Sequence, residues 1–285
     1  MKNILITGGC GYIGRNLYRL FNEDSKENSN KYNVYAPSKT ILDLLNVDKI
    51  EYTFKNFKPD VVIHTAIQGG DRIKKDSIDI IKNNVEMYEN LMNFVSDDMT
   101  TFVFGSGAEF DRRKTINCVD ENEIYNRFPI DPYGISKSII SKQAIQDIRK
   151  IYVLRLFGCF NHDEENFRFI KSCILNIKHN KPIQINQNKH MDFFYMDDIF
   201  TVIDNIINNA DNGEYNMNLV YNTKYTLKHI VNKVKCIMKK ENWPVLCHNR
   251  KIKYNYTGNG LKLQKMNLNL IGLDEGIKKT VESLL

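Results

Sequence analysis

Asn3-Ile4-Leu5-Ile6-Thr7-Gly8-Gly9-Cys10-Gly11-Tyr12-Ile13-Gly14 is the stretch that decides the fold. A short apolar run ends in glycines at 8, 11 and 14, after which Ile13, Leu17, Leu20 and Phe21 recur at helical spacing. That order reads as a strand, a glycine-rich turn and an amphipathic helix whose apolar stripe faces the sheet. Glycines let a backbone approach a pyrophosphate, and a helix N-terminus adds amide donors and a favourable dipole. A dinucleotide held by Gly8, Gly11, Tyr12, Ile13 and Gly14 is therefore expected.

Working outward, the first 110 residues alternate short apolar runs with polar helical stretches, the pattern of βαβ units. Asn33 to Ala36 reads as a second strand stopped by Pro37, and the polar segment Asn22 to Asn30 as an exposed loop before it. Residues 47–57 form an amphipathic helix through Ile50, Phe54 and Phe57, followed by the buried strand Val61-Val62-Ile63-His64. A long helix over 78–95, a strand Thr101–Phe104 ending at Gly105-Ser106-Gly107, a helix over 133–149 and a strand Tyr152–Leu154 complete the series. The expected fold class is α/β, a doubly wound parallel sheet. Beyond residue 160 the alternation fails, which predicts a smaller α+β domain threaded through the first. Residues 1–160, with 191–212 returning, form the larger domain, and 161–190 with 213–285 the smaller.

At 285 residues, with 42% apolar and 26% charged residues and a net charge of +6, the chain is large enough for a substantial core. Its mean hydropathy of −0.43 reads as a soluble protein without a membrane span. The charge excess permits nucleic acid, but no nucleic-acid motif or basic-aromatic stripe accompanies it, so none is expected as a partner. Cys10, Cys118, Cys159, Cys173, Cys236 and Cys247 show no Cys-x-x-Cys pair or metal-ligand spacing. They read as reduced, mostly packed thiols, with no metal. The N-terminal run reaches glycine by residue 8, too soon for a signal-peptide core, so a cytoplasmic protein is expected.

The end of the second strand decides between the two nicotinamide dinucleotides, because an acid there pairs with the ribose 2′-hydroxyl and repels a 2′-phosphate. Val34-Tyr35-Ala36-Pro37-Ser38-Lys39 contains no acid. NADPH is expected over NADH, with Ser38, Lys39 and Arg15 facing the 2′-phosphate. Tyr133-Gly134-Ile135-Ser136-Lys137 puts a phenol and an ammonium on one helix face, where the cation favours phenolate and makes the tyrosine a proton donor usable near neutral pH. Ser106 ends a strand on the edge where open parallel sheets bind ligands, placed to hydrogen-bond a carbonyl. His64, inside an apolar strand, reads as packed. Asn83 and Asn84 fit either a position near the cofactor or chance in an Asn-rich chain, and the acids Asp197-Asp198 read as ordinary helix capping.

Together these residues resemble the extended short-chain dehydrogenase/reductase family in its nucleotide-sugar branch, with a Rossmann-type sheet. Thr-Gly-x-x-Gly-x-x-Gly matches residues 7–14, Tyr-x-x-x-Lys matches 133–137, the serine-bearing strand end matches 104–106, and Met191-Asp192-Phe193-Phe194-Tyr195-Met196-Asp197-Asp198 is similar to the branch's Arg-Asp-Phe-x-x-Val-Asp-Asp. Leu42-Asp43-Leu44-Leu45-Asn46 followed by Phe57-Lys58-Pro59-Asp60-Val61-Val62 is similar to NDP-4-keto-6-deoxy-sugar reductases.

The resemblance implies Ser106, Tyr133 and Lys137 as catalytic residues, with Tyr133, Lys137, Asp43, Leu44 and Ala66 also meeting the cofactor. It implies Ser106, Gly107, Ala108, Glu109, Arg168 and Lys189 at the substrate, and a homodimer. Ala108 stands where epimerase-reductases carry cysteine, and Arg168 where they carry histidine, so reduction at C4 without C3/C5 epimerisation is expected, in deoxysugar and polysaccharide precursor synthesis. Gly107-Ala108-Glu109 stands where 4,6-dehydratases carry Thr-Asp-Glu, which argues against elimination. Met191 replaces the arginine beside the nucleotide's phosphates, with Lys189, His190 or Arg168 as the cations to compensate. Two alternatives stay open, an NDP-sugar 4-epimerase with tightly bound NAD+ and a catalytically silent dinucleotide-binding regulator.

Overall fold

In the computed structural model, which describes residues 1–28, 31–70, 74–209, 214–248 and 254–285, the opening stretch forms β1 (Lys2–Thr7) and α1 (Tyr12–Glu27). β2 (Tyr32–Tyr35), α2 (Val47–Phe57), β3 (Val61–His64), α3 (Asp79–Met92) and β4 (Thr100–Ser106) follow. A 3-10 turn (Gly107–Glu109), β5 (Ile116–Val119), α4 (Pro132–Gln146) and β6 (Ile151–Leu156) come next. The chain continues through β7 (Cys159–Phe160), α5 (Phe169–Lys178), β8 (Ile183–Ile185), β9 (Phe194–Tyr195) and α6 (Met196–Asn208). It ends with β10 (Asn216–Leu219), α7 (Leu227–Ile237), β11 (Val245–Cys247), β12 (Tyr256–Gly258), α8 (Leu261–Lys265) and α9 (Gly272–Leu284).

The central sheet has the strand order β10-β6-β4-β3-β1-β2, with β1 parallel to β2 and β3, and β3 parallel to β4. Connections leave β1 in both directions, so the carboxyl ends of β1, β3 and β4 share one edge at the point where the order reverses. Open α/β sheets bind ligands there. Leu5, Val62, Val103 and Val153 pack on one face against Ile50 and Phe54 of α2, Leu91 of α3 and Ile140 of α4. Each such side chain contributes roughly 1.5–3 kcal/mol on burial.

The segment expected as a loop from Asn22 is helical through Glu27, because Ser25 is buried and its hydroxyl donates to the Tyr32 carbonyl at 2.9 Å, while Phe21 packs edge-on to Tyr32 at 5.2 Å. Ser29 and Asn30, from the same expectation, lie outside the described residues. The helix expected over 78–95 ends at Met92. Cys173 alone of the six thiols is buried, with Cys10, Cys118, Cys236 and Cys247 exposed, so the expectation of mostly packed cysteines does not hold.

The chain divides into two units. The first comprises Met1–Asp111, Asn122–Arg155 and Val202–Met217, the second Arg112–Glu121, Leu156–Thr201 and Asn218–Leu285. These boundaries differ from 1–160 and 191–212: β5 pairs with β12 and β9 with β7, and both pairs lie in the second unit. That unit has its own core, in which Ile170 and Ile174 of α5, Ile230 and Val234 of α7 and Ile277 of α9 are buried.

Asp198, expected as an ordinary cap, has a larger task. It is fully buried and accepts from the Ile271 and Gly272 amides at 2.7 and 2.9 Å, and from the Tyr221 hydroxyl. A carboxylate on α6 thus caps the start of α9. Burial pushes its pKa up, against the three donors. Asp198→Ala strands these donors in the interior and is expected to lower stability by about 3 kcal/mol, read from the urea midpoint. A loss under about 1 kcal/mol contradicts this role.

Candidate active site

Three strands bring their ends to one edge, and the residues that follow build the site. After β1, an added Cβ at Gly14 would lie 2.4 Å from the Gly8 carbonyl, so only glycine lets α1 begin this close to the strand. At Gly11, the N-cap of α1, an added Cβ would meet nothing nearer than 3.2 Å, and Gly11 offers no side-chain cap. With no acid in the first turn, this end of α1 fits the pyrophosphate of a dinucleotide by its free approach and its dipole. Tyr12 and Ile13 are half-buried in that turn, and the Arg15 guanidinium, on an exposed residue, lies 5.6 Å above the Tyr12 ring. Ala66, after β3, closes the cradle: a Cβ on Gly8 would lie 2.7 Å from its Cα.

Beyond β2 the chain turns at Ser38, whose carbonyl accepts from the Ile41 and Leu42 amides at 3.1 and 2.9 Å. Ser38 Oγ and Thr40 Oγ1 share a hydrogen bond of 2.7 Å, and Lys39 is exposed on the turn. Asp43 is half-buried and accepts from the Leu45 amide at 3.1 Å. The Leu44 side chain is a core residue, 2% exposed, so the part of Leu44 left to meet a cofactor is its backbone.

The third group stands where α4 meets β4. Asp131 caps α4 through the Gly134 amide at 2.9 Å, and Pro132 opens it. A Cβ on Gly134 would lie 2.4 Å from the Ala108 carbonyl. Glycine therefore lets the start of α4, with Tyr133, close onto the turn that Ser106 begins. Ser106 Oγ accepts from the Ala108 amide at 3.1 Å, which leaves its hydroxyl proton for another acceptor.

Lys137 is 7% exposed, and its ammonium donates to the Phe104 carbonyl at 2.6 Å and lies 6.0 Å from the Tyr133 ring centroid. Burial pushes its pKa down to about 8, against the opposing pull of the Glu109 carboxylate. It still carries its charge near neutral pH. Ser106, Tyr133 and Lys137 are thus gathered at one strand end.

Glu109 is corrected as a substrate residue: it is fully buried and paired with Arg155 at 2.7 Å, so it faces the interior and not a sugar pocket. Gly107 and Ala108 are buried in the turn, Ala108 at 1% exposure. His64 is packed as expected. It shares a 2.9 Å hydrogen bond with Thr7 Oγ1, and burial, then the Lys137 charge, lowers its pKa to about 3.

The second unit carries Arg168 and Lys189. Arg168 directly precedes α5 and pairs with Glu165 at 3.0 Å, and Lys189 is half-buried with its carbonyl accepting from the Leu227 amide at 2.9 Å. Met191, in the arginine position, is 8% exposed within the second core.

Residues 4–222 match the NAD dependent epimerase/dehydratase family. The chain belongs to that family. It is similar to a GDP-L-fucose synthase of Azorhizobium caulinodans, 32% identical over 113 residues, 38% of this chain and 34% of that protein. It is also similar to a dTDP-glucose 4,6-dehydratase of Haemophilus influenzae, 24% identical over 225 residues, 65% of this chain and 64% of that protein. The aligned stretches therefore span less than two thirds of either relative. Among solved structures, GDP-mannoheptose C4 reductase from Campylobacter jejuni, with NADP bound, superposes with a TM-score of 0.80 at 18% identity, covering 99% of this chain and 97% of that one. The fold is that of the epimerase/dehydratase enzymes.

One polar residue that the sequence left between function and chance proves to hold this site of the family member together. Asn84 on α3 is fully buried; its oxygen accepts from the Gln68 amide at 2.8 Å, and its nitrogen donates to the Gln68 carbonyl and Ser136 Oγ at 3.0 and 3.1 Å. It fixes the loop after β3 against the residue before Lys137. The signal that distinguishes it from the chain's other asparagines is its place on the buried stripe of α3, with Ile80, Met87 and Leu91.

Buried His64 also gives the protein a pH dependence. In the unfolded chain its imidazole takes a proton near the ordinary value of 6.5, whereas in the fold it stays neutral until about 3. The unfolded state therefore binds the extra proton in this window, and stability falls as pH drops through it. Between pH 7 and pH 5 the wild type is expected to lose about 2 kcal/mol more than His64→Asn, read from urea unfolding at both pH values. Equal losses contradict a neutral buried imidazole.

Proposed function

We propose that this chain reduces the C4 keto group of a nucleotide-diphosphate 4-keto-6-deoxy sugar with NADPH and leaves C3 and C5 unchanged. One observation carries the reading: at the edge formed by β1, β3 and β4, the Tyr133 ring lies 6.0 Å from the buried Lys137 ammonium, while the neighbouring candidates are paired or inert. Ala108 has no acid or base to offer, Glu109 is paired inside, and His64 is locked to Thr7. Epimerisation at C3 or C5, or elimination, needs a further acid–base group at the ring; reduction at C4 needs one proton.

The dinucleotide, when bound, supplies the hydride. The first-turn amides of α1 hold its pyrophosphate, and Ser38, Lys39 and Arg15 receive the 2′-phosphate at a strand end free of acids. Tyr133 gives its phenolic proton to the C4 oxygen as negative charge develops there, and Ser106 donates to the same oxygen. A preorganised donor at that position is worth about 2.7–4 kcal/mol in the transition state. Lys137 holds the nicotinamide ribose hydroxyls, and its charge stabilises the phenolate left on Tyr133.

Turnover is measured on a panel of GDP-, CDP-, dTDP- and UDP-4-keto-6-deoxy sugars. With the substrate found, Tyr133→Phe is expected to lower kcat at least about a hundredfold, and near-parental turnover of that variant discards the mechanism. Protein that purifies with tightly bound NAD+ and interconverts C4-epimeric NDP-sugars without added reductant is instead a 4-epimerase. Lys39→Asp is expected to shift the NADPH over NADH preference in kcat/KM by about tenfold or more; an unchanged ratio removes Lys39 from the 2′-phosphate site.

A further inference from the structure

Glu109 has no surface exposed, yet each of its carboxylate oxygens is occupied, as a buried charge requires. Oε1 accepts from the Ser106 backbone amide at 2.6 Å and from Ser141 Oγ at 2.9 Å, and Oε2 accepts from Arg155 Nε at 2.7 Å. With the Ala108 amide bonded to Ser106 Oγ, this is a capping box that locks the serine's backbone and side chain together. Ser141, itself buried, lies four residues beyond Lys137 and so on the same face of α4. Arg155 on β6 is also fully buried and donates to Asn216 Oδ1 at 3.0 Å. One carboxylate therefore ties the end of β4, the Lys137 face of α4 and β6.

We propose that Glu109 is the positioning residue of this site, fixing Ser106 through its backbone amide and the Lys137 face of α4 through Ser141, and placing a buried negative charge in the field of the Lys137 ammonium. This rests on the reading of Ser106, Tyr133 and Lys137 as the working residues. Among the described residues, the charged and titratable groups that act on Lys137 come from three elements. His64 on β3 faces it in neutral form, Tyr133 shares its helix, and Glu109 opposes the burial that strips the ammonium of its proton. Arg155 balances Glu109 from β6, and Glu89 on α3 is bound to Gln143 further along α4. Neutralising Glu109 leaves burial unopposed, so Lys137 loses its charge at a lower pH. In a reduction that needs a protonated Tyr133 beside a charged Lys137, the alkaline fall in rate then begins earlier.

The test compares the parent with Glu109→Gln, which keeps the shape and an acceptor for the Ser106 amide. A Glu109→Gln/Arg155→Met pair is included because it leaves no unmatched guanidinium in the interior. Two readouts are taken: the pH profile of kcat and KM, and the titration of the Lys137 ε-methylene by NMR in lysine-labelled protein, assigned by its loss in Lys137→Met. In both variants Lys137 is expected to titrate at least about half a pH unit lower, with the alkaline limb of kcat following it. kcat at pH 8 is expected to fall at least about fivefold while KM for NADPH stays within about twofold, the split of a residue that acts through others. An unchanged Lys137 titration and an unchanged alkaline limb in folded variants overturn the proposal, even if their melting temperatures drop. The NMR titration needs no turnover, so a parent inactive on every keto sugar refutes the functional reading while Glu109 is still decided.

Discussion

A buried ammonium must find an acceptor, and the 2.6 Å hydrogen bond from Lys137 to the Phe104 carbonyl meets that need. The bond docks α4 on the end of β4, two residues before Ser106. The close approach of Gly134 to the Ala108 carbonyl then sets Tyr133 over the turn. Glu109, Ser141 and Asn84 hold the same junction from the other side, by side chains that reach neither solvent nor an open edge. The site is thus a consequence of how one charged helix face is accommodated on a parallel sheet.

The part of this that is local in sequence was legible. A strand, three spaced glycines and an amphipathic helix specify β1, the turn and α1 with little help from the rest of the chain. The helix over 47–57 and the strand 61–64 matched in the same way, through a clear apolar period and a Pro-Asp turn. The Tyr133–Lys137 spacing gave a shared face because α4 forms there for its own reasons, an Asp cap and a proline at its first position.

What resisted reading was long-range. Nothing near Glu109 says that it is buried, since its partner Arg155 lies 46 residues on. The available signal was the arginine itself, a single charge within the apolar run Ile151–Leu156, which a buried strand tolerates only with a counter-ion. The end of α1 was missed because Ser25 and its partner Tyr32 look polar and unremarkable until the helix and β2 are side by side. Asp198 was misjudged for a similar reason: an acid at a helix start usually serves its own helix, and here it serves α9, more than seventy residues away. In the second unit the same principle recurs at Asp192. Lys224 and the Gly258 amide meet its carboxylate at 2.8 and 2.9 Å, and burial pushes its pKa up to about 6.

The proposed reduction adds hydrogen to the sugar carbons at C4 and nowhere else. It is tested most directly by incubating the protein with NADPH deuterated at the transferred position and an NDP-4-keto-6-deoxy sugar in ordinary water, repeating the reaction with unlabelled NADPH in D2O, and reading both products by NMR. One deuterium at C4 in the first product and no deuterium on C3 or C5 in the second are expected. Deuterium absent from C4 in the first reaction, or solvent deuterium at C3 or C5 in the second, would contradict it.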